Sequence, residues 1–135
     1  LGKSEVKREG GDLTIVTYGR MLSMCLDLAD EIAQSDGIQA EIVDPRTLRP
    51  LDLEPIVASV SKTGRVLIVH EAVQFGGFGG EIAASIADSD AFHYLDAPIR
   101  RIGGIDVPIP YNPELERNAV PTRERVTAAI RELLR

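Results

Sequence analysis

The sequence predicts an α/β fold with a mostly parallel sheet and helices on both of its faces. Two observations carry this. Short β-branched apolar runs alternate along the chain with longer segments whose apolar residues recur at helical spacing. The run from Arg65 to Val69 shows no polar alternation, as expected of a strand covered on both faces. Strand–helix–strand alternation then implies right-handed crossovers between parallel strands. A length of 135 residues with 44% apolar and 27% charged residues fits one globular domain, residues 1–135, able to bury a proper core.

The elements follow in order. Ser4 to Arg8 has the polar alternation of an edge strand. Leu13 to Tyr18 is β-branched and apolar, and Gly19 ends it. Met21, Leu22, Cys25, Leu28, Ala29, Ile32 and Ala33 then share one helical face, closed by Gly37. Ala40 to Val43 is the next strand. Asp52 is the expected cap of a helix with Leu53, Ile56, Val57 and Val60 inward, and Pro55 is tolerated in its first turn. Gly64 stops it before the apolar strand ending at Val69. A helix after Gly76–Gly80 runs to about Asp88, and Ile99 to Ile102 is a further strand ending at Gly103-Gly104. A loop rich in proline (Pro108, Pro110, Pro113) leads to Pro121-Thr122. These open a last helix with Val126, Ala129, Ile130 and Leu133 inward.

Several function classes are disfavoured. A net charge of -6 lacks the basic footprint of nucleic-acid binding. The apolar runs are all shorter than the roughly 20 residues that span a bilayer, and there is no signal peptide, so a cytoplasmic location is expected. The single cysteine, Cys25, excludes an internal disulfide and lies on an apolar helix face, where it reads as a small buried hydrophobe. Two histidines without paired ligands at helical spacing suggest no metal site. The start at Leu1-Gly2, without Met, suggests a piece of a longer chain.

The most informative stretch is Val66-Leu-Ile-Val-His-Glu-Ala-Val-Gln-Phe-Gly-Gly-Phe-Gly-Gly-Glu81. It reads as a buried strand, a glycine-dense turn and a helix, with His70 and Glu71 where a ligand or partner could reach them. His70-Glu71 has the composition of a general base and its orienting carboxylate. Adjacent strand residues point to opposite faces, however, and no nucleophile stands near by in sequence. A hydrogen-bonding or packing role at a domain interface is the preferred reading. The glycines could form an anion site at a helix start. They match neither G-x-G-x-x-G nor a phosphate loop ending in Lys-Ser/Thr. Close approach of the backbone, within the sheet or to a neighbouring subunit, explains Gly76, Gly77 and Gly79 better. Gly77 and Gly79 are therefore expected to serve backbone geometry, with a positive φ at either making Ala costly. Asp44-Pro45-Arg46 reads as a turn with a salt bridge, and Arg100-Arg101 as solvated charges on opposite sides of a strand. Asp96 precedes Ala97-Pro98, which places it on a fixed, exposed turn.

Four phrases resemble one family in its order and spacing. They are Val6 to Gly19, Ile42 to Asp52, the His70-Glu71-Ala72 strand end with its Gly-Gly-Phe-Gly helix entry, and Asp96 to Pro110 followed by Leu115-Glu116. The chain resembles the C-terminal, transketolase C-terminal-like domain of beta subunits of thiamine diphosphate-dependent 2-oxo acid dehydrogenases. The resemblance implies a three-layer α/β/α sandwich with a five-stranded, mostly parallel sheet and an antiparallel first (edge) strand. It places the strand ending at Tyr18 beside the one ending at His70. It also implies a parent enzyme that uses Mg-thiamine diphosphate, held outside this domain, to decarboxylate a 2-oxo acid, pyruvate first among them, and acylate a lipoyl arm. Expected partners are the alpha subunit, a second beta subunit and the subunit-binding domain of the dihydrolipoyl acyltransferase core. No catalytic, cofactor or metal residue is assigned here. His70, Glu71, Gly76, Gly77, Phe78 and Gly79 are assigned to interfaces. Asp96 corresponds to an acidic position that docks the basic subunit-binding domain, with an ordinary linker charge as the other reading. A transketolase or deoxyxylulose-phosphate synthase-type enzyme, or a freestanding anion-binding module, are the alternatives.

Overall fold

The computed structural model describes residues 2–105, 112–114 and 119–135. Five strands form one sheet: β1 (Glu5–Arg8), β2 (Leu13–Thr17), β3 (Ala40–Asp44), β4 (Val66–Val73) and β5 (Arg100–Gly104). The helices described are α1 (Arg20–Asp36), α2 (Glu54–Thr63), α3 (Phe78–Ala87) and α4 (Arg123–Leu133), with a short 3-10 helix, Asp90–Tyr94, ahead of β5. The strand order is β1-β3-β2-β4-β5. Only the edge pair β1/β3 is antiparallel; β2/β3, β2/β4 and β4/β5 are parallel. The antiparallel edge strand and the β2–β4 pairing are as the resemblance implies.

Strand alternation divides the core into two layers. Leu13, Ile15, Ile42, Leu67 and Val69 face α1 and α4. Val16, Val43, Val66 and Ile68 face α2, α3 and the 3-10 helix. Consecutive residues of β4, from Val66 to Val69, are all 0% exposed, which is why its sequence needs no polar alternation. The α1 face bears Met21, Cys25, Leu28, Ala29 and Ile32, and the helix stops at Gly37 in the left-handed region, φ 71°. Thr122 caps α4 as expected: its hydroxyl accepts the Arg125 N–H at 3.2 Å.

Asp52 does not cap α2. Leu53 holds that position without a side-chain cap, and Asp52 Oδ2 accepts the Ser4 N–H at 2.9 Å. Pro55 leaves α2 one orphan N–H fewer, while the chain entering β1 has a donor to satisfy. The inner face of α2 also carries Ser59 and Thr63, buried beside Thr14. The Thr14 hydroxyl lies 2.7 Å from the Ser59 hydroxyl and 2.8 Å from that of Thr63. Cys25 is fully buried, and burial pushes its thiol pKa up to about 11. Pro108, Pro110, Leu115 and Glu116 lie outside the described residues, and Pro113 is exposed.

Candidate functional site

The His-Glu-Ala phrase belongs to β4 itself, which runs on to Val73 instead of stopping at Val69. Its pairing with β5 slips here: Val69 faces Ile102, but Val73 faces Gly104. The intervening residues of β4 bulge out of the ladder, a device common at sheet ends beside functional surfaces. Gln74 closes the bulge. Its N–H donates to Gly104 O at 3.0 Å, and its side-chain oxygen accepts the Gly103 N–H at 3.2 Å.

Alternation sends His70 and Glu71 to opposite faces. His70 points under α3 on the side of Ile68, and is 0% exposed. The imidazole is therefore out of reach of a ligand, contrary to the exposed placement expected from sequence. Its neighbours explain the glycines. A Cβ on Gly79 would collide with His70 Nε2 and lie 2.7 Å from Cδ2. One on Gly103 would lie 2.7 Å from Cε1, and one on Gly77 3.0 Å from it while striking the Val73 carbonyl. Neither Gly77 nor Gly79 has positive φ; that conformation belongs to Gly76, φ 74°. The two glycines are needed for space, not for backbone conformation. Tyr18 stacks on the ring at 6.3 Å between centroids and 25° between planes. Both ring nitrogens lack a hydrogen-bond partner. Burial, with some help from the Arg101 charge, holds the His70 pKa below its usual range, against the opposing pull of backbone groups of Ala72 and His70.

Glu71 reaches the other face and the surface. Its carboxylate accepts two bonds from Arg20 at the start of α1, at 3.1 and 2.6 Å. Those bonds hold its pKa below the ordinary carboxylate range. Phe78 packs half-buried on the core under α3, Gly79 is buried and Gly76 is exposed. The rim thus brings together His70, Glu71, Gly76, Gly77, Phe78 and Gly79, with Phe75 beside them, 84% exposed and not singled out from sequence.

Asp96 is not part of that group. Its N–H donates to Gly64 O at 2.7 Å, which fixes it where β4 begins, at the amino end of the parallel strands. Its side chain is exposed and lies 3.9 Å from Arg65. Asp44-Pro45-Arg46 is a turn, with Asp44 Oδ1 accepting the Arg46 N–H at 2.8 Å; the salt bridge of Arg46 is with Glu5, at 3.7 Å. Arg100 and Arg101 do diverge. Arg100 pairs with Glu132 of α4 at 3.3 Å, whereas Arg101 turns to the α3 side and donates to Gln74 O at 3.1 Å. Arg101 is not a solvated charge: with Arg125 it lines a cleft beside Phe75. Among the described residues no group of three His, Cys, Asp or Glu side chains could hold a metal ion, and no helix is long and apolar enough to cross a membrane.

The family model for the transketolase C-terminal domain matches residues 2–126. The chain belongs to that family. Among transketolase C-terminal domains it is 42% identical, over 98% of its length, to the mitochondrial pyruvate dehydrogenase E1 component subunit beta of Saccharomyces cerevisiae. It is 45% identical, again over 98% of its length, to the 2-oxoisovalerate dehydrogenase subunit beta of Bacillus subtilis. The chain spans 36% of the first relative and 40% of the second. A solved structure described as a split-gene transketolase, an inactive beta4 tetramer, superposes with a TM-score of 0.76 at 30% identity. It is covered to 41%, by 98% of this chain.

Proposed function

We propose that this transketolase C-terminal domain is the closing domain of the beta subunit of a thiamine diphosphate-dependent 2-oxo acid dehydrogenase. The observation that carries the reading is identity of 42% and 45%, over nearly the whole chain, to beta subunits of such dehydrogenases. The split-gene transketolase structure, at 30%, makes a transketolase-type parent the weaker reading. The parent enzyme decarboxylates a 2-oxo acid, pyruvate or a branched relative, and passes the acyl group to a lipoyl arm. In this reading the domain braces subunits through the rim at the carboxyl end of β4 and docks the acyltransferase core through Asp96.

The geometry favours bracing over chemistry. The rim imidazole is sealed under α3, and the Glu71 carboxylate is committed to Arg20. The reading places the cofactor elsewhere in the parent. The anion-module alternative loses ground because the glycines pack on His70. A cytoplasmic location stays part of the proposal, with mitochondria the alternative set by the yeast relative's name.

Calorimetric titration with Mg-thiamine diphosphate tests the division of labour. Heat is expected with the assembled alpha and beta subunits and none with this chain alone; tight binding to this chain would overturn the reading. For Asp96, Asp96→Asn in the assembled enzyme should slow association with the acyltransferase's subunit-binding domain and flatten its salt dependence. Unchanged rates at two ionic strengths would leave Asp96 an ordinary surface charge.

A further inference from the structure

We propose that the cleft at the carboxyl end of β5 receives an acidic side chain of a partner subunit, carried on a segment with an apolar neighbour. This rests on the reading that the adjoining rim faces other subunits. The cleft measures about 320 Å³ and is lined by Gln74, Phe75, Arg101, Gly104, Ile105 and Arg125.

Two independent properties converge on it. The first is charge. Arg100, Arg123 and Arg131 are paired with Glu132, Glu31 and Asp36. Arg101 and Arg125, from neighbouring positions on the same two elements, join none of the ion pairs among the described residues. The chain has 21 acidic residues against 15 Lys and Arg, so carboxylates are not scarce. Among the described residues both guanidiniums of one cleft nevertheless lack one. Each carries five N–H donors in a fixed fork suited to a carboxylate. Arg101 spends one on Gln74 O, and Arg125 reaches Gly103 O only at 3.4 Å. Nη1 of Arg125 is buried with no acceptor among the described residues. An arginine so placed is short of an acceptor, and a bidentate carboxylate supplies the best one.

The second property is apolar exposure. Phe75 is 84% and Ile105 46% exposed, and both line this cleft. A free anion would neutralise the arginines and leave Phe75 in water. A protein segment with an Asp or Glu beside an apolar side chain covers both, with Phe75 as the kind of aromatic anchor that dominates interfaces.

The test uses the full parent chain assembled with its partner subunits, with subunit dissociation followed by sedimentation over a dilution series. Arg101→Met and Arg125→Met should each raise the dissociation constant about tenfold or more and flatten its salt dependence. Phe75→Ser should also weaken assembly. Arg123→Met, which removes only the pair with Glu31, is the control and should change neither. Arg125→Lys guards against misfolding: it keeps the charge, loses the fork and should weaken assembly less than Arg125→Met. Wild-type assembly in both Met variants, with Phe75→Ser still weakened, would overturn the acidic anchor and keep the rim as an interface. Wild-type assembly in all three would remove the interface reading as well. Acetate binding lost in the arginine variants, without any change in assembly, would make the cleft a small-carboxylate site and overturn the partner.

Discussion

Gly79→Ala isolates the contact that explains the glycine turn. Two effects oppose one another. Inside a helix Ala is better than Gly by roughly 0.5–1 kcal/mol, and Gly79 has no positive φ to strain. Against this, the new methyl meets His70 Nε2 and Cδ2. The ring has nowhere to retreat, because Gly77 and Gly103 crowd its Cε1 edge and no face of it is exposed. Overpacking of this kind costs about 1–3 kcal/mol, which leaves a net loss of about 1 kcal/mol. In a His70→Ala background the next neighbour is Ile68 Cγ2 at 3.4 Å, an ordinary contact, so the sign should reverse. There Gly79→Ala should stabilise by up to about 1 kcal/mol. Guanidinium denaturation of the four chains closes the cycle, with an expected coupling of about 2 kcal/mol. Equal destabilisation in both backgrounds would refute the reasoning. Gly77→Ala should remain costly in either, since the Val73 carbonyl also blocks it.

Three further outcomes follow from buried groups. His70 has a folded pKa below its ordinary 6.5, so its contribution to stability is present above pH 6.5 and lost as pH falls through the folded value; urea midpoints should drop on acidification, and His70→Gln should flatten that drop. Cys25, fully buried with its pKa pushed up to about 11, should react with a disulfide reagent only as fast as the chain opens, so a rapid reaction in native buffer would contradict its placement. Thr14→Val removes the hydroxyl that meets those of Ser59 and Thr63, of which Thr63 keeps the Arg65 carbonyl at 3.0 Å, and should cost about 1–3 kcal/mol in chemical denaturation.

What the sequence reveals depends on whether the partner of a residue is local. The face of α1, from Met21 to Ile32, and the unbroken run of β4 are periodic signals, and both survive into the structure. The end of β4 is misplaced because polar His70 and Glu71 look like a strand terminus, whereas a bulge carries the strand through them. Asp52 fits a cap by local pattern, but its partner, Ser4, is 48 residues away. The glycines are conspicuous in composition, yet their reason lies in where the His70 ring points. Arg101, Arg125 and Phe75 meet only once β5, α4 and the turn after β4 are assembled. The opposed directions of Arg100 and Arg101 were the one local hint.

Asp96 sits where β4 begins, and the His70 rim sits where it ends. A strand rises about 3.3 Å per residue, so the six residues from Gly64, which holds Asp96, to His70 set these surfaces about 20 Å apart. In the proposed reading, a subunit braced on the rim and the acyltransferase's domain at Asp96 would use opposite ends of one sheet. The domain would then act as a spacer between the two.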